Sequence, residues 1–457
     1  MRLWCELAWL GAATADPGVL LVIEGDRIVD VQLDVPVAPA DAEVLRGLTI
    51  PGVANAHSHC FHRALRGRTQ LGEGSFWTWR EQMYAVAARL DPAAYRELAV
   101  GVFAEMVLAG YTAVGEFHYV HHQPDGTPYD DAHAMEWALI DAATEAGIRI
   151  TLLDTCYLHG GPGDGSEPLP LQPEQIRFSD GSVDVWASRA SALHAMVGMH
   201  PTARVGAAIH SVRAVTPTEA AIVARWADLR QVPLHAHVSE QPAENADCQR
   251  AYGMTPTSVL AGAGALWGAG GFCAVHATHL TPEDVGAYGS TGTFVCFCPT
   301  TERDLADGIG PSRDLVDAGA QLCVGSDSHA VLDAFEELRA VEMDERLATG
   351  VRGTHSAGHL LLAGTANGMA AIGWPDAGMI APGALADVVV VATDGIAMAG
   401  VAAEHALESV VFGAGPRDVA AVMVGGRWVV RQHAHLTVPD AARRLQASVA
   451  ALTAPRD

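Results

Sequence analysis

Four short stretches carry side chains able to gather around a cation. They are Asn55-Ala56-His57-Ser58-His59, Leu234-His235-Ala236-His237-Val238-Ser239-Glu240, Val275-His276-Ala277-Thr278-His279 and Val324-Gly325-Ser326-Asp327-Ser328-His329. In an extended strand, residues i and i+2 point to one side, so His57 and His59 converge on one point. Histidines that merely fill a core would not collect at the ends of four separate strand-like runs. Three imidazoles plus one carboxylate form a zinc set, with a water completing the shell. Such a site is hydrolytic, because a bound metal lowers the pKa of its water to about 7.

The elements around these stretches must bring them together. Strand-like runs occupy 48–56, 111–117, 149–158, 204–209, 232–238, 272–276, 293–298 and 321–325, and helical stretches such as 93–108, 131–146 and 217–229 separate them. Eight such units in succession predict a (β/α)8 TIM barrel. A doubly wound open sheet is the rival from periodicity alone. In a barrel, chemistry belongs at the C-terminal ends of the strands, where the four stretches fall. Both chain ends have another texture. Val19 to Ile23, a turn at Gly25-Asp26, and Arg27 to Val31 read as a hairpin. Near the other end, Leu385 to Val391 reads as a strand and Val422 to Val430 as a hairpin about Gly425-Gly426. The expected organisation is a small β-sandwich domain from 1–48 and 380–457, with a catalytic barrel over 49–379.

Composition removes several classes of function. The formal charge of −25 over 457 residues opposes nucleic acid and anionic membranes. The early charges of Arg2 and Glu6 do not suit a secretory signal, and a cytoplasmic protein is expected. All 28 basic residues are arginine. The lack of lysine excludes Schiff-base chemistry, pyridoxal phosphate held on a lysine, a Walker A loop and a carboxylated lysine bridging two metals. The eight cysteines are scattered and several sit in apolar runs, so reduced structural thiols are expected.

His57-x-His59, His237-x-x-Glu240, His276 and Asp327 together resemble the amidohydrolase superfamily, and within it the mononuclear deaminase branch that includes cytosine, adenosine and guanine deaminases. The resemblance implies one divalent metal, Zn²⁺ or alternatively Fe²⁺, held by His57, His59, His237 and Asp327. It implies that Glu240 shuttles a proton and that His276 orients the attacking water. Asp327 would accept the water proton, Glu240 would protonate the leaving nitrogen, and His276 would stabilise the tetrahedral intermediate.

Other runs are more specific. His59-Cys60-Phe61-His62-Arg63-Ala64, Phe76-Trp77-Thr78-Trp79-Arg80-Glu81, Glu116-Phe117-His118-Tyr119-Val120-His121-His122 and His210-Ser211-Val212-Arg213 closely resemble the N-formimino-L-glutamate deiminases of histidine degradation, as does Cys298-Pro299-Thr300-Thr301-Glu302. The resemblance spans nearly the whole chain. It implies hydrolysis of a small dicarboxylate to N-formyl-L-glutamate and ammonia, with His62, Arg80, Tyr119, His210 and Arg213 against the substrate; some members carry Gln at the position of His62. A strongly acidic protein repels a dicarboxylate unless it places arginine locally. Arg80, expected in the loop after the first strand, and Arg213, just past the fourth, meet that need. Trp77 and Trp79 suit ordinary packing equally well. His121, His122, His279 and His329 carry no expected role. A homodimer is expected. The alternatives are a deaminase acting on guanine or a related heterocycle, which would not need two arginines, and an inactive amidohydrolase-like scaffold.

Overall fold

The computed structural model describes residues 1–70, 74, 76–164, 167–268 and 270–454; the side chain of Trp77 lies outside the described residues. Two sheets of eight strands organise the chain. The first is mixed and joins both termini: β1 (Arg2–Ala8), β2 (Asp16–Glu24), β3 (Arg27–Gln32) and β4 (Glu43–Pro51) continue through β13 (Val388–Val391), β14 (Val419–Val424), β15 (Arg427–Arg431) and β16 (Ala434–His435). The join is the antiparallel pair β4 with β13, in which Ile50 faces Val389.

The second sheet is the barrel. Its strands are β5 (Val53–Ser58), β6 (Tyr111–His118), β7 (Arg149–Cys156), β8 (Ala203–Ile209), β9 (Leu234–Val238), β10 (Phe272–His276), β11 (Phe294–Phe297) and β12 (Gln321–Val324). Every neighbouring pair from β5 to β12 is parallel. A parallel bridge between Ser58 and Asp327 draws the last strand against the first. Helices separate the strands, among them Pro92–Leu108, Ala134–Ala146 and Pro217–Arg230. The last begins in a capping box of Thr216 and Glu219.

One expected strand proves to be two. The apolar run over 48–56 divides at Gly52, leaving β4 in the terminal sheet and β5 in the barrel. A side chain at Gly52 would stand 2.2 Å from Thr112 Oγ1, so only glycine lets the chain pass between the sheets there.

Small residues fill the barrel. Ala54, Ala56, Ala113, Cys273, Cys296 and Cys323 pack in one cluster with Ile372 and Trp374. All eight cysteines are free and buried, as expected of structural thiols. No helix among the described residues is long and apolar enough to cross a membrane.

Candidate active site

The ends of β5 and β12 are stitched together by backbone bonds. Ser326 N and Asp327 N both donate to His57 O, at 3.1 and 3.0 Å, and His59 N donates to Asp327 O at 3.1 Å. Gly325 permits this approach, because a Cβ there would lie 2.7 Å from His57 O. The strand ends then turn abruptly. Ser239, His276, Ala277, Asp327 and His329 all adopt positive φ, from 42° to 69°. Non-glycine residues hold that conformation only where surrounding structure enforces it, and such strain gathers at functional sites.

His57, His59 and His237 meet at the barrel mouth, all buried. His237 Nε2 lies 3.2 Å from His57 Nε2 and 3.3 Å from His59 Nε2. Asp327 Oδ1 lies 3.5 Å from both His57 Nε2 and His59 Nε2. The tautomers of two rings follow from their other nitrogens. His59 Nδ1 donates to Phe117 O at 2.8 Å and His237 Nδ1 donates to His210 O at 2.9 Å, and a carbonyl can only accept. Burial pushes the pKa of His59 down to about 3, and drives those of His57 and His237 well below the ordinary histidine range. The rings are neutral, and at least two bare nitrogen lone pairs face each other beside a carboxylate. That arrangement repels unless a cation lies between. Tetrahedral zinc with nitrogen at 2.0–2.1 Å would separate its ligand nitrogens by about 3.4 Å, close to the spacing found. The residues fit one divalent metal.

Glu240 and His276 border this cluster. Glu240 Oε1 lies 3.8 Å from His276 Nε2, and its Oε2 accepts from Arg213 Nη2 at 3.1 Å. His276 Nδ1 faces Glu302 Oε1 at 3.3 Å, and that oxygen also accepts from Cys298 N at 2.8 Å. Burial opposes a proton on His276, but the carboxylates of Glu240, Glu302 and Asp327 outweigh it and lift the pKa to about 10. Asp307 stands near the same group; burial and the charge of Glu240 push its carboxyl up to about 9.

A cavity of about 280 Å³ opens onto the cluster and is lined by His62, Arg80, Tyr119, His210, Arg213 and Glu240. All five residues expected against substrate are therefore present. Arg80 sits on the helix Phe76–Ala87 instead of in a loop, inserted between β5 and the helix Pro92–Leu108. His62 Nε2 and Tyr119 OH are 3.0 Å apart. Arg213 is engaged with Glu240 and lies 3.9 Å from Glu244. His235 and His279 turn away to the carbonyls of Ala371 and Asp307, and His329 lies 3.0 Å from Ser58 Oγ. Sequence reasoning gave no role to Glu302, Tyr84, Tyr157 or Gln175. The last three lie beyond the strand ends, where no periodic pattern marks them.

The profile of the amidohydrolase family matches residues 48–429, most of the chain. The chain belongs to the amidohydrolase family. It is 39% identical over 422 residues to formimidoylglutamate deiminase of Pseudomonas aeruginosa, covering 89% of this chain and 90% of that protein. It is 28% identical over 440 residues to 8-oxoguanine deaminase of the same organism, covering 94% of each. Among solved structures, an amidohydrolase from Brucella melitensis superposes with a TM-score of 0.90 at 30% identity, over 99% of this chain and 100% of that one. An adenosine deaminase from Xanthomonas campestris with bound zinc shares the fold, with a TM-score of 0.82 at 22% identity over 98% of each chain. The converging histidines at the barrel mouth are thus set in an amidohydrolase barrel.

Proposed function

We propose that this amidohydrolase converts N-formimino-L-glutamate and water to N-formyl-L-glutamate and ammonia, with Zn²⁺ as its metal. The observation that carries the reading is the pair Arg80 and Arg213 lining one cavity beside the histidine cluster, in a chain of net charge −25. Arginine forks suit carboxylates, and the similarity to formimidoylglutamate deiminase supports a substrate with two of them.

His57, His59, His237 and Asp327 would hold the metal, which when bound supplies a water acidified to a pKa of about 7. Asp327 divides its two oxygens. Oδ1 faces His57 and His59, while Oδ2 lies 3.8 Å from His276 Nε2 and is placed to take a proton from water. Arg213 donates to Glu240 Oε2, which leaves Oε1 to carry the proton to the departing nitrogen. Glu302 fixes His276 by accepting from Nδ1, so that Nε2 faces the reacting carbon and stabilises charge there. The carbon–nitrogen double bond gives way to a carbonyl, and one ammonia leaves for each water consumed. A cytoplasmic homodimer is the expected form.

Ammonia release measured side by side on formiminoglutamate, guanine and cytosine tests this. Turnover should be confined to formiminoglutamate. Faster release from either base, or none from formiminoglutamate by metal-loaded protein, overturns the assignment.

A further inference from the structure

Behind the histidines at the barrel mouth runs a buried hydrogen-bonded chain of Asn55, Ser326, His329, Ser58 and Glu116, which no step of the reaction uses. Its direction is fixed. Asn55 Oδ1 accepts from Ser326 N at 2.9 Å, so the amide NH2 is turned to Ser326 Oγ and donates to it at 2.6 Å. Ser326 then sends its own hydrogen to His329 Nδ1, 3.3 Å away. A ring that accepts at Nδ1 keeps its hydrogen on Nε2, which faces Ser58 Oγ at 3.0 Å. Ser58 passes its hydrogen to Glu116 Oε2 at 2.5 Å, and Glu116 Oε1 accepts from Cys60 N at 2.7 Å. The reverse order fails at Ser326. Its oxygen would receive hydrogens from both Asn55 and His329, with no acceptor among the described residues for its own.

The two serines belong to different segments. Ser58 ends β5, between His57 and His59. Ser326 precedes Asp327 just past β12, and His329 follows it by two residues. His329 therefore ties the histidine segment to the carboxylate segment with its own two nitrogens. Main-chain bonds of 3.0–3.1 Å also join them, but two of these share His57 O. Asp327 and His329 hold positive φ, 42° and 57°, which a non-glycine residue keeps only under restraint. Arg66 Nε adds to that restraint, donating to His329 O at 2.7 Å. None of the five residues of the chain lines the cavity, so the chain can act on the ligand residues but not on substrate.

We propose that His329 is a positioning residue for the metal. By holding Ser58 with one nitrogen and Ser326 with the other, it fixes the spacing of His57 and His59 against Asp327, and so sets how firmly the site keeps its ion. This rests on the metal reading above.

The test compares zinc-loaded wild type, His329→Leu, the pair Ser58→Ala with Ser326→Ala, and the triple variant. Zinc release into a chelator should be roughly ten- to a hundredfold faster from His329→Leu, the usual effect of removing a group that orients metal ligands. KM for formiminoglutamate at saturating zinc should stay within about threefold of wild type, because no substrate contact is lost. Melting temperature is read with and without zinc. A weakened site gains less from its ion, so the rise that zinc produces should shrink in His329→Leu. In the double-Ala background the His329 substitution should change release by less than about twofold, because the bonds it makes are already gone. Release as slow as from wild type, or a fall in melting temperature that is the same with and without zinc, overturns the proposal and leaves His329 an ordinary core residue. An undiminished effect in the double-Ala background overturns it equally. If His329→Leu does not fold, Ser326→Ala alone must speed release at least about threefold, and its failure to do so is as decisive. Wild type that takes up no zinc overturns the metal reading and the clamp with it. Wild type that holds zinc but leaves formiminoglutamate intact overturns only the substrate assignment, and release and melting still decide the role of His329.

Discussion

Two buried histidine clusters lie close together in this barrel, and only one of them lines the cavity. His57, His59 and His237 aim ring nitrogens at one another across 3.2–3.3 Å. His118 and His121, past the end of β6, crowd Glu136 in a similar way, with His121 Nδ1 at 2.8 Å and His118 Nε2 at 3.3 Å from Glu136 Oε1. By donor type and spacing both could hold an ion. The difference is who supplies the positive charge. In the second cluster Arg189 does, donating to Glu136, Asp154 and Asp180 at 2.8–3.0 Å. His121 adds its own charge, because its nitrogens face the Glu136 carboxylate and the Thr155 carbonyl, both acceptors. Glu136 Oε1 and the carboxylates of Asp154 and Asp180 each meet a donor there, while Glu136 Oε2 meets none. In the first cluster the ring nitrogens face one another, and the cluster borders a cavity. A cluster that encloses its own arginine is set for structure, and one that opens onto a cavity is set for binding.

The largest test of that contrast removes one member of the first cluster. His237→Ala should reduce the metal content, expected at about one equivalent per chain, toward zero and abolish turnover, as read by elemental analysis and ammonia release. His118→Ala should leave the metal in place. Two equivalents in wild type would mean the second cluster also binds an ion and would end the distinction. Next comes Glu240→Gln, which should keep the metal but lower kcat roughly 10²–10⁴-fold, the usual share of a general acid–base. Loss of metal from that variant would make Glu240 a ligand. Arg213→Met should cost kcat/KM about 30- to several-thousand-fold, since breaking a buried charge pair costs about 2–5 kcal/mol. Activity within about twofold of wild type would remove Arg213 from both the substrate and Glu240.

These residues were legible in the sequence to different degrees, for physical reasons. His57 and His59 announce themselves through the two-residue repeat of a strand, and Asp327 through its place just after an apolar run. The eight strands of the barrel follow the alternation of apolar runs with helical stretches. The break at Gly52 was hidden because apolar residues continue on both sides, and only the Thr112 side chain crossing behind demands a glycine. Glu302 lies four residues after Cys298 on the short helix Pro299–Asp304, a spacing shared with any capped helix. Gln175, Tyr84 and Tyr157 come from three separate segments. Their grouping is a property of the fold alone.

The second cluster offers a stability test with no catalytic counterpart. Arg189→Met would leave Glu136, Asp154 and Asp180 buried with too few donors. Removing one partner of such a network costs about 3–5 kcal/mol, so the chemical-denaturation midpoint should fall markedly while metal content per folded chain stays the same. A variant as stable as wild type would show that the network contributes nothing to the fold. Metal loss would show that the two clusters are coupled through the 117–122 segment.

The smallest expected effect concerns the charge on His121. Burial and the neighbouring Arg189 oppose its proton, but the bond to Glu136, with the charges of Asp154 and Glu136, outweighs them and raises the pKa above the ordinary 6.5. A histidine that holds its proton more firmly when folded adds stability below the unfolded pKa and loses it as pH rises through the higher folded value. His121→Asn provides the comparison, because its amide can donate in place of Nδ1 yet cannot take a charge. A charged donor exceeds a neutral one by about 1 kcal/mol, so wild type should be more stable than His121→Asn by roughly that amount below pH 6.5. The gap should narrow as the solution becomes alkaline. Burial lowers the pKa of neighbouring His118 and the charge of His121 lowers it further, so relief of that repulsion in His121→Asn forms part of the measured difference. A gap independent of pH, measured by urea denaturation across the range, would mean that His121 is neutral in the folded protein. The second cluster would then balance its carboxylates with Arg189 alone, and its contrast with His57, His59 and His237 would rest on that single side chain.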